Sequence, residues 1–307
     1  MRTCLRIVAP VVLAAMLCAG RADAHHEALF GPQSSLAVEA PAFVSMQAFM
    51  RATGKTSPRG QESTFILSGG VSPFHEVPIG FALIQPFTYE TTNAPNDQSG
   101  PFFSCNGCFR AENTLLTTQY RFGFEGLQRS TGKDGNFAMV SAGVELPTGN
   151  KEHRSFEGPL NGVAAGLVAF EWSSFSVLAL GYYRAHGKND GAKKGDIGLY
   201  GGGFAYTPID REDSLLSFQL GISHELHARD WILDQRIDQS GGWVVLASPT
   251  IVWSPVARVS IFALVSLPLA QSFRDDGSRD RYRLGLGLVY AFSRSEAEAR
   301  ALEAAHP

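Results

Sequence analysis

The sequence predicts an all-β chain: a single antiparallel transmembrane β-barrel of about twelve strands, with both termini in the periplasm. Three observations carry this. The segment Arg281–Phe292 places Leu284, Leu286, Leu288, Tyr290 and Phe292 on every second residue, with Gly285, Gly287, Val289 and Ala291 between them. A period of two puts the large apolar set on one face of a strand. The other face is small, which suits a barrel whose outside must be apolar. At the other end, Arg2 and Arg6 precede the apolar run Ile7–Leu17, and Ala22-Asp23-Ala24 has the form of a cleavage site. That pattern predicts a secretory signal peptide over residues 1–24. Between the two ends, apolar alternating segments are joined by connections that are short and long in turn, as in barrels with short periplasmic turns and long outer loops.

The expected organisation is a signal peptide (1–24), a periplasmic N-terminal segment (25–42), the barrel (43–292) and a charged periplasmic tail (293–307). Leu17 before Cys18 is too large for the small residue that usually precedes a lipidated cysteine. No later run reaches about 18 apolar residues, so no helix is expected to cross a membrane. The net charge of −3 becomes −5 once Arg2, Arg6, Arg21 and Asp23 are removed. That mild acidity argues against a nucleic-acid partner. A hydrophobic share of 44% would also fit a soluble enzyme, so the pattern along the chain has to decide.

In order, the predicted strands are Phe43–Arg51, Thr64–Val71, Ile79–Tyr89, Thr114–Phe124, Asn136–Leu146, Gly162–Trp172, Phe175–Ala185, Asp196–Tyr206, Leu215–His227, Trp243–Trp253, Arg258–Leu269 and Arg281–Phe292. Thr114–Phe124 alternates cleanly, with Leu116, Tyr120, Phe122 and Phe124 against Thr117, Gln119 and Arg121. Leu215–His227 sets Phe218, Leu220 and Ile222 against Ser217, Gln219, Ser223 and Glu225. Arg258–Leu269 is apolar on both faces, and Ile79–Tyr89 and Gly162–Trp172 do not assign their own faces. Pro86 and Pro249 fall inside strands, where each removes a ladder donor and points to a bulge. Trp243 and Trp253 share parity, roughly 25 Å apart along a tilted strand, so they are expected in opposite aromatic girdles. Long polar connections are expected at Ala52–Ser63, Thr91–Asn113, Thr148–Asn161, His186–Gly195, Ala228–Gly242 and Ala270–Asp280.

Two resemblances add to this. Arg283, Gly285, Leu288, Tyr290 and Phe292 resemble the C-terminal insertion signal of Gram-negative outer-membrane proteins, although here the chain continues past the aromatic residue. The resemblance implies outer-membrane lipid and the barrel assembly machinery as partners. Gly143-Val144-Glu145-Leu146-Pro147-Thr148-Gly149 is similar to the G-x-x-L-P-T-G segment of outer-membrane transporters associated with meta-pathway phenol degradation. That likeness implies passage of small organic solutes.

Four constellations could carry chemistry. His25-His26 would open the mature chain, and imidazole suits Cu, Ni and Zn; a copper or zinc site there is the main rival reading. Cys105 and Cys108 form a Cys-x-x-Cys pair in the longest outer loop, where a redox pair, half of a zinc site or a small disulfide are all open and an oxidising compartment favours the disulfide. His224, His227, Asp230 and Asp234 cluster near one strand end. His224 and His227 have opposite parity, which separates them on a regular strand. Gly201-Gly202-Gly203 lacks the Lys and Ser/Thr of a phosphate loop and suits close backbone approach. The expected function is a non-enzymatic outer-membrane channel for small organic solutes, aromatic or amphipathic ones included, with no cofactor. Gln47, Arg51, Gln119, Arg121, Glu145, Gln219 and Glu225 are the expected lumen-lining residues.

Overall fold

The computed structural model describes residues 42–54, 60–72, 79–92, 108–123, 136–149, 160–189, 191–211, 214–256, 258–274 and 279–292. The strands in chain order begin with β1 (Ala42–Thr53), β2 (Gly60–Val71), β3 (Ile79–Thr92), β4 (Cys108–Ala111), β5 (Thr114–Gly123) and β6 (Phe137–Leu146). Then come β7 (Asn161–Trp172), β8 (Phe175–Ala185), the short β9 (Lys188–Asn189) and β10 (Ala192–Lys193), β11 (Ile197–Asp210) and β12 (Leu215–His227). The short β13 (Trp231–Ile232) and β14 (Gln235–Arg236) precede β15 (Gly242–Val256), β16 (Val259–Phe273) and β17 (Asp280–Phe292). Twelve long strands pair antiparallel with their neighbours, and β1 pairs with β17, so the sheet closes into a barrel. Ala42 lies opposite Phe292, so both ends of the barrel chain sit at one rim. The tight Ser173-Ser174 turn and the β15–β16 turn are at that rim, the short-turn rim, which also carries the 13-residue connection between Gly123 and Phe137; the connections β3–β4, β6–β7 and β12–β15 are at the other, long-loop rim.

Alternation sorts the side chains as lipid contact requires. On β1, Phe43, Ser45, Gln47, Phe49 and Arg51 are buried inside, while Val44 points out. The outer surface is apolar: Leu116, Val140, Leu220, Ile222, Ile251, Leu267 and Leu286 are exposed in its middle. Trp172, Phe175, Trp253 and Phe292 are exposed near the short-turn rim, and Tyr89, Phe109, Tyr183 and Tyr200 near the long-loop rim. Trp243 and Trp253 both lie on the outward parity of β15, at its two ends, because Val244, Leu246 and Val252 on the opposite parity are buried.

The closing strand is held from inside. Gly285 lies opposite Phe49, and Gly287 opposite Phe262. A Cβ on Gly287 would lie 2.1 Å from the Phe262 ring, and one on Gly285 would lie 2.8 Å from the Phe49 ring. The small face of Arg281–Phe292 is therefore a seat for two aromatic rings.

The two prolines behave differently. The β3–β5 ladder runs from Ile79↔Tyr120 to Ile84↔Leu115, and β3 resumes pairing at Phe87↔Ala111 with β4. Two residues of β3 thus face three of the other chain, a bulge opposite Pro86. The Pro86 carbonyl still accepts the Glu112 N–H at 3.0 Å. At Pro249 the register does not shift. The nearby irregularity is at Val245/Leu246, where Leu269 of β16 is left without a partner. The connections expected at Ala52–Ser63 and Ala270–Asp280 are shorter than their polarity suggests. Pairing such as Glu62↔Glu90 and Gly242↔Phe273 continues into polar sequence, because the ladder needs only backbone.

Beyond the long-loop rim, β9–β10 and β13–β14 are hairpins joined by Lys193↔Trp231 into a small four-stranded sheet. Asp196 anchors it. Its carboxylate accepts the His186 N–H (2.9 Å), the Lys193 ammonium (2.9 Å) and the Tyr183 hydroxyl (3.0 Å). Partial burial pushes this carboxyl up, but the three donors outweigh it and hold Asp196 below the usual carboxylate range.

Two predictions follow from this packing. Gly287→Val should overpack the lumen against Phe262, costing about 1–3 kcal/mol, and should reduce the folded, heat-modifiable band on a gel. Phe262→Ala added to it should restore that band, and no rescue would contradict the contact. For Asp196 the folded value is depressed, so its contribution is complete above the unfolded value of ~3.9 and is lost as pH falls through the lower folded value. Amide exchange at His186 and Ala228, corrected for intrinsic rates, should stay slow from neutral pH to about pH 4 and quicken below it. Asp196→Asn should abolish that acid transition, and an unchanged transition would refute the assignment.

Candidate functional site: the barrel lumen

The inward-facing side chains form three zones. Nearest the long-loop rim is a chain of ion pairs. Asp280, the first residue of β17, accepts bonds from Arg51 of β1 and from Arg283 Nη2 at 2.7 Å. Asp280 shares the inner face with Arg283 because the β1–β17 register shifts there, Ala52 facing Tyr282 and Thr53 facing Asp280. Arg283 also makes a two-pronged contact to Glu225 of β12, Nη1 to Oε2 at 2.9 Å and Nη2 to Oε1 at 3.2 Å. His227 Nε2 meets Glu225 Oε1 at 2.5 Å. Gln271 of β16 fixes the Asp280 backbone through both of its amide atoms, each at 2.8 Å. A second cluster joins β6, β7 and β8: Glu145 accepts from Arg184 Nη2 at 2.7 Å and from Asn161 Nδ2 at 2.8 Å. These charges are buried, and each carboxylate meets a guanidinium, as burial demands.

Deeper lies an apolar belt containing Phe49, Ile66, Ile84, Leu115, Val252 and Phe262. The third zone is a patch of small and polar residues on the wall formed by β11, β12 and β15. Gly201 faces Ser223, Gly203 faces Gly221, Gly221 faces Ser248, and Gln219 faces Thr250. The inward Gln219, Ser223, Ser248 and Thr250 are only half-buried, whereas the inner face of β1 is buried along its length. The less filled part of the inner surface is therefore off-centre: it includes this patch, together with half-buried inward residues of β6 and β8 such as Ser141, Leu178 and Leu180.

Of the residues expected to line the lumen, Arg51, Glu145 and Glu225 are in the ion-pair clusters and Gln219 is in the half-buried patch. Gln47 and Gln119 are buried on the inner faces of β1 and β5, and each has a side-chain oxygen without a hydrogen-bond partner. Arg121 lies near the short-turn rim with its guanidinium 4.2 Å from the Phe137 ring centre. His25, His26 and Cys105, with the metal and disulfide expectations placed on them, lie outside the described residues. Cys108 opens β4, its backbone paired with Glu90, and its side chain is outside the description. Asp280, Arg283, Arg184, Asn161 and His227 were not expected in the lining. Arg283 shares parity with Gly285 and Gly287, and that signal could have found it.

His224 and His227 do not meet. His224 is on the outer face, its Nδ1 2.5 Å from the Tyr200 hydroxyl and its ring edge-on to Trp243, while His227 is inside. The Gly201-Gly202-Gly203 run allows close backbone approach: a Cβ on Gly201 would lie 2.4 Å from the Ile222 carbonyl oxygen. The segment Gly143–Gly149 is a clasp over the Pro86 bulge. Thr148 Oγ1 accepts the Thr114 N–H at 2.9 Å and lies 2.6 Å from its hydroxyl, while Thr114 donates to Gln85 Oε1 at 2.5 Å. A Cβ on Gly149 would lie 2.7 Å from the Ala111 carbonyl oxygen.

No protein-family model matches the chain, and no curated protein does. Among solved structures, the chain is similar to the COG4313 outer membrane channel from Pseudomonas putida F1, with a TM-score of 0.64 and 13% identity over 85% of this chain and 99% of that one. Weaker likenesses, too low to carry an argument, are to the KdgM porin (TM-score 0.41, 12% identity, 81% of this chain and 99% of that one) and to LpxR from Salmonella typhimurium (0.47, 10%, 81% and 100%). These comparisons do not confirm the likeness to meta-pathway transporters. At such identities the similarity is one of fold, and the fold is that of an outer-membrane β-barrel with twelve strands.

Proposed function

We propose that this protein is a passive channel in the outer membrane of a Gram-negative bacterium, with the long-loop rim outside. Its solutes would be small organic molecules without net charge. The observation that carries the reading is the off-centre patch of Gly201, Gly203, Gln219, Gly221, Ser223, Ser248 and Thr250 facing a buried opposite wall. Small side chains leave room beside the wall, and their hydroxyl and amide groups can replace part of a solute's hydration. The paired arginines and carboxylates leave little net charge for an ion to exploit.

Ser223→Trp, pointing inward, should fill this passage and slow the swelling of proteoliposomes in small uncharged solutes by about fivefold or more, since pore radius sets permeation. Leu220→Trp, pointing to lipid, should swell like the parent protein. Equal rates for all three proteins would place the passage elsewhere, and no swelling above empty liposomes would remove the channel reading. For orientation, a cysteine replacing Lys193 should react with an impermeant thiol reagent on intact cells, and one replacing Arg258 should not. The opposite pattern would invert the barrel.

A further inference from the structure

Arg283 and Glu225 belong to strands that do not pair. Between β17 and β12 in the sheet lie β16 and β15. Three spacings of ~4.8 Å separate them by roughly 14 Å along the wall. Their ion pair therefore stands off from the sheet as a chord across part of the lumen. Its feet are set by register: Glu225 lies opposite Val244, Val244 opposite Gln271, and Gln271 is bonded to Asp280. This row is two residues beyond Ser223 on β12, on the long-loop side of the half-buried patch. The chord thus lies at the long-loop end of that patch, and both of its partners are almost fully buried.

We propose that the Arg283–Glu225 bridge is the specificity-determining bar of the passage, holding its outer mouth narrow and electrically balanced so that uncharged solutes pass and ions are disfavoured. The inference rests on the channel reading above. Arg283 suits the role because a planar fork holds a carboxylate at two points, which fixes the bar in one geometry. Asp280 keeps the same arginine from swinging free, and Arg51 balances Asp280. His227 touches Glu225 from the rim side. Among the described residues, the groups bonded into the bar are two guanidiniums, two carboxylates and one imidazole, and Glu62 adds a further carboxylate near Arg51. Removing a single partner uncovers a charge of one sign at the mouth. Removing both partners uncovers none, but opens the bar.

The test is single-channel recording of the full-length protein in planar bilayers under a KCl gradient. Arg283→Gln/Glu225→Gln should raise conductance at least about twofold with the reversal potential unchanged, because the mouth widens and stays balanced. This double variant keeps Arg51 with Asp280, so it leaves no new buried charge that would block folding. Arg283→Gln alone should shift the reversal potential toward cation selectivity, and Glu225→Gln alone toward anion selectivity. Arg283→Cys should shift toward cations and return toward the parent value when 2-aminoethyl methanethiosulfonate adds an ammonium. The same reagent on the parent protein is the control. If the parent conducts and every variant matches it in conductance and reversal potential, the bar is not there. If neither parent nor variants conduct, the channel reading falls and takes this inference with it.

Discussion

Everything in this barrel depends on β1 pairing with β17. In lipid, no open sheet edge can leave its N–H and C=O groups without partners. Closure joins Ala42↔Phe292 through to Thr53↔Asp280, and so removes the edge that each strand would otherwise present. It also fixes which residues face inward. A slip of one residue would turn every side chain of the closing strand to the wrong face. Phe49 over Gly285 and Phe262 over Gly287 resist such a slip, since only a glycine leaves room for each ring. The register shift at Ala52/Thr53 then sends Asp280 inward beside Arg283.

The interior follows from that register. One side is filled: Phe43, Ser45, Gln47, Phe49 and Arg51 are buried along β1. On the other side, the middle of β11, β12 and β15 carries glycine, serine, threonine and Gln219 and is only half-buried, between buried residues such as Glu225 and Leu246 toward one rim and Ala205 and Val252 toward the other. Among the described residues, the buried carboxylates stand beside guanidiniums, because removing one partner of a buried pair costs about 3–5 kcal/mol while the intact pair adds little stability. What the pairs do give is fixed distance between strands that share no ladder, β17 with β12 and β6 with β8. An interior held this way keeps its shape while offering polar contacts, which is what a narrow solute path needs.

Much of this was legible in the sequence, and the reason is periodicity. Each of the twelve long strands covers a segment whose alternation or apolar run announced it, and β12 and β17 announced it most clearly. Strand ends were less visible, since backbone pairing at Gln61–Ser63 and Ala270–Phe273 does not need apolar side chains. The outer sheet was hidden because two-residue strands such as Trp231–Ile232 carry no period. Glu145 and Glu225 could be placed inside by parity. Their pairing with Arg184 and Arg283 could not be read, because such a contact crosses intervening strands and depends on the curvature of the closed barrel. The Pro86 bulge was half legible: proline signals a missing donor, but the side-chain clasp of Gln85, Thr114 and Thr148 that covers it depends on residues far apart in sequence.

The central claim is that water and solute run along one wall of the lumen while the opposite wall is sealed. Cysteine accessibility in the lipid-embedded protein tests it most directly. Single cysteines replacing Ser223, Ser248 or Thr250 should react with a small water-soluble thiol reagent, and cysteines replacing Ser45 or Thr64 on the buried wall should not. Equal reactivity on both walls, or protection of Ser223 and Ser248 with reaction at Ser45, would contradict it.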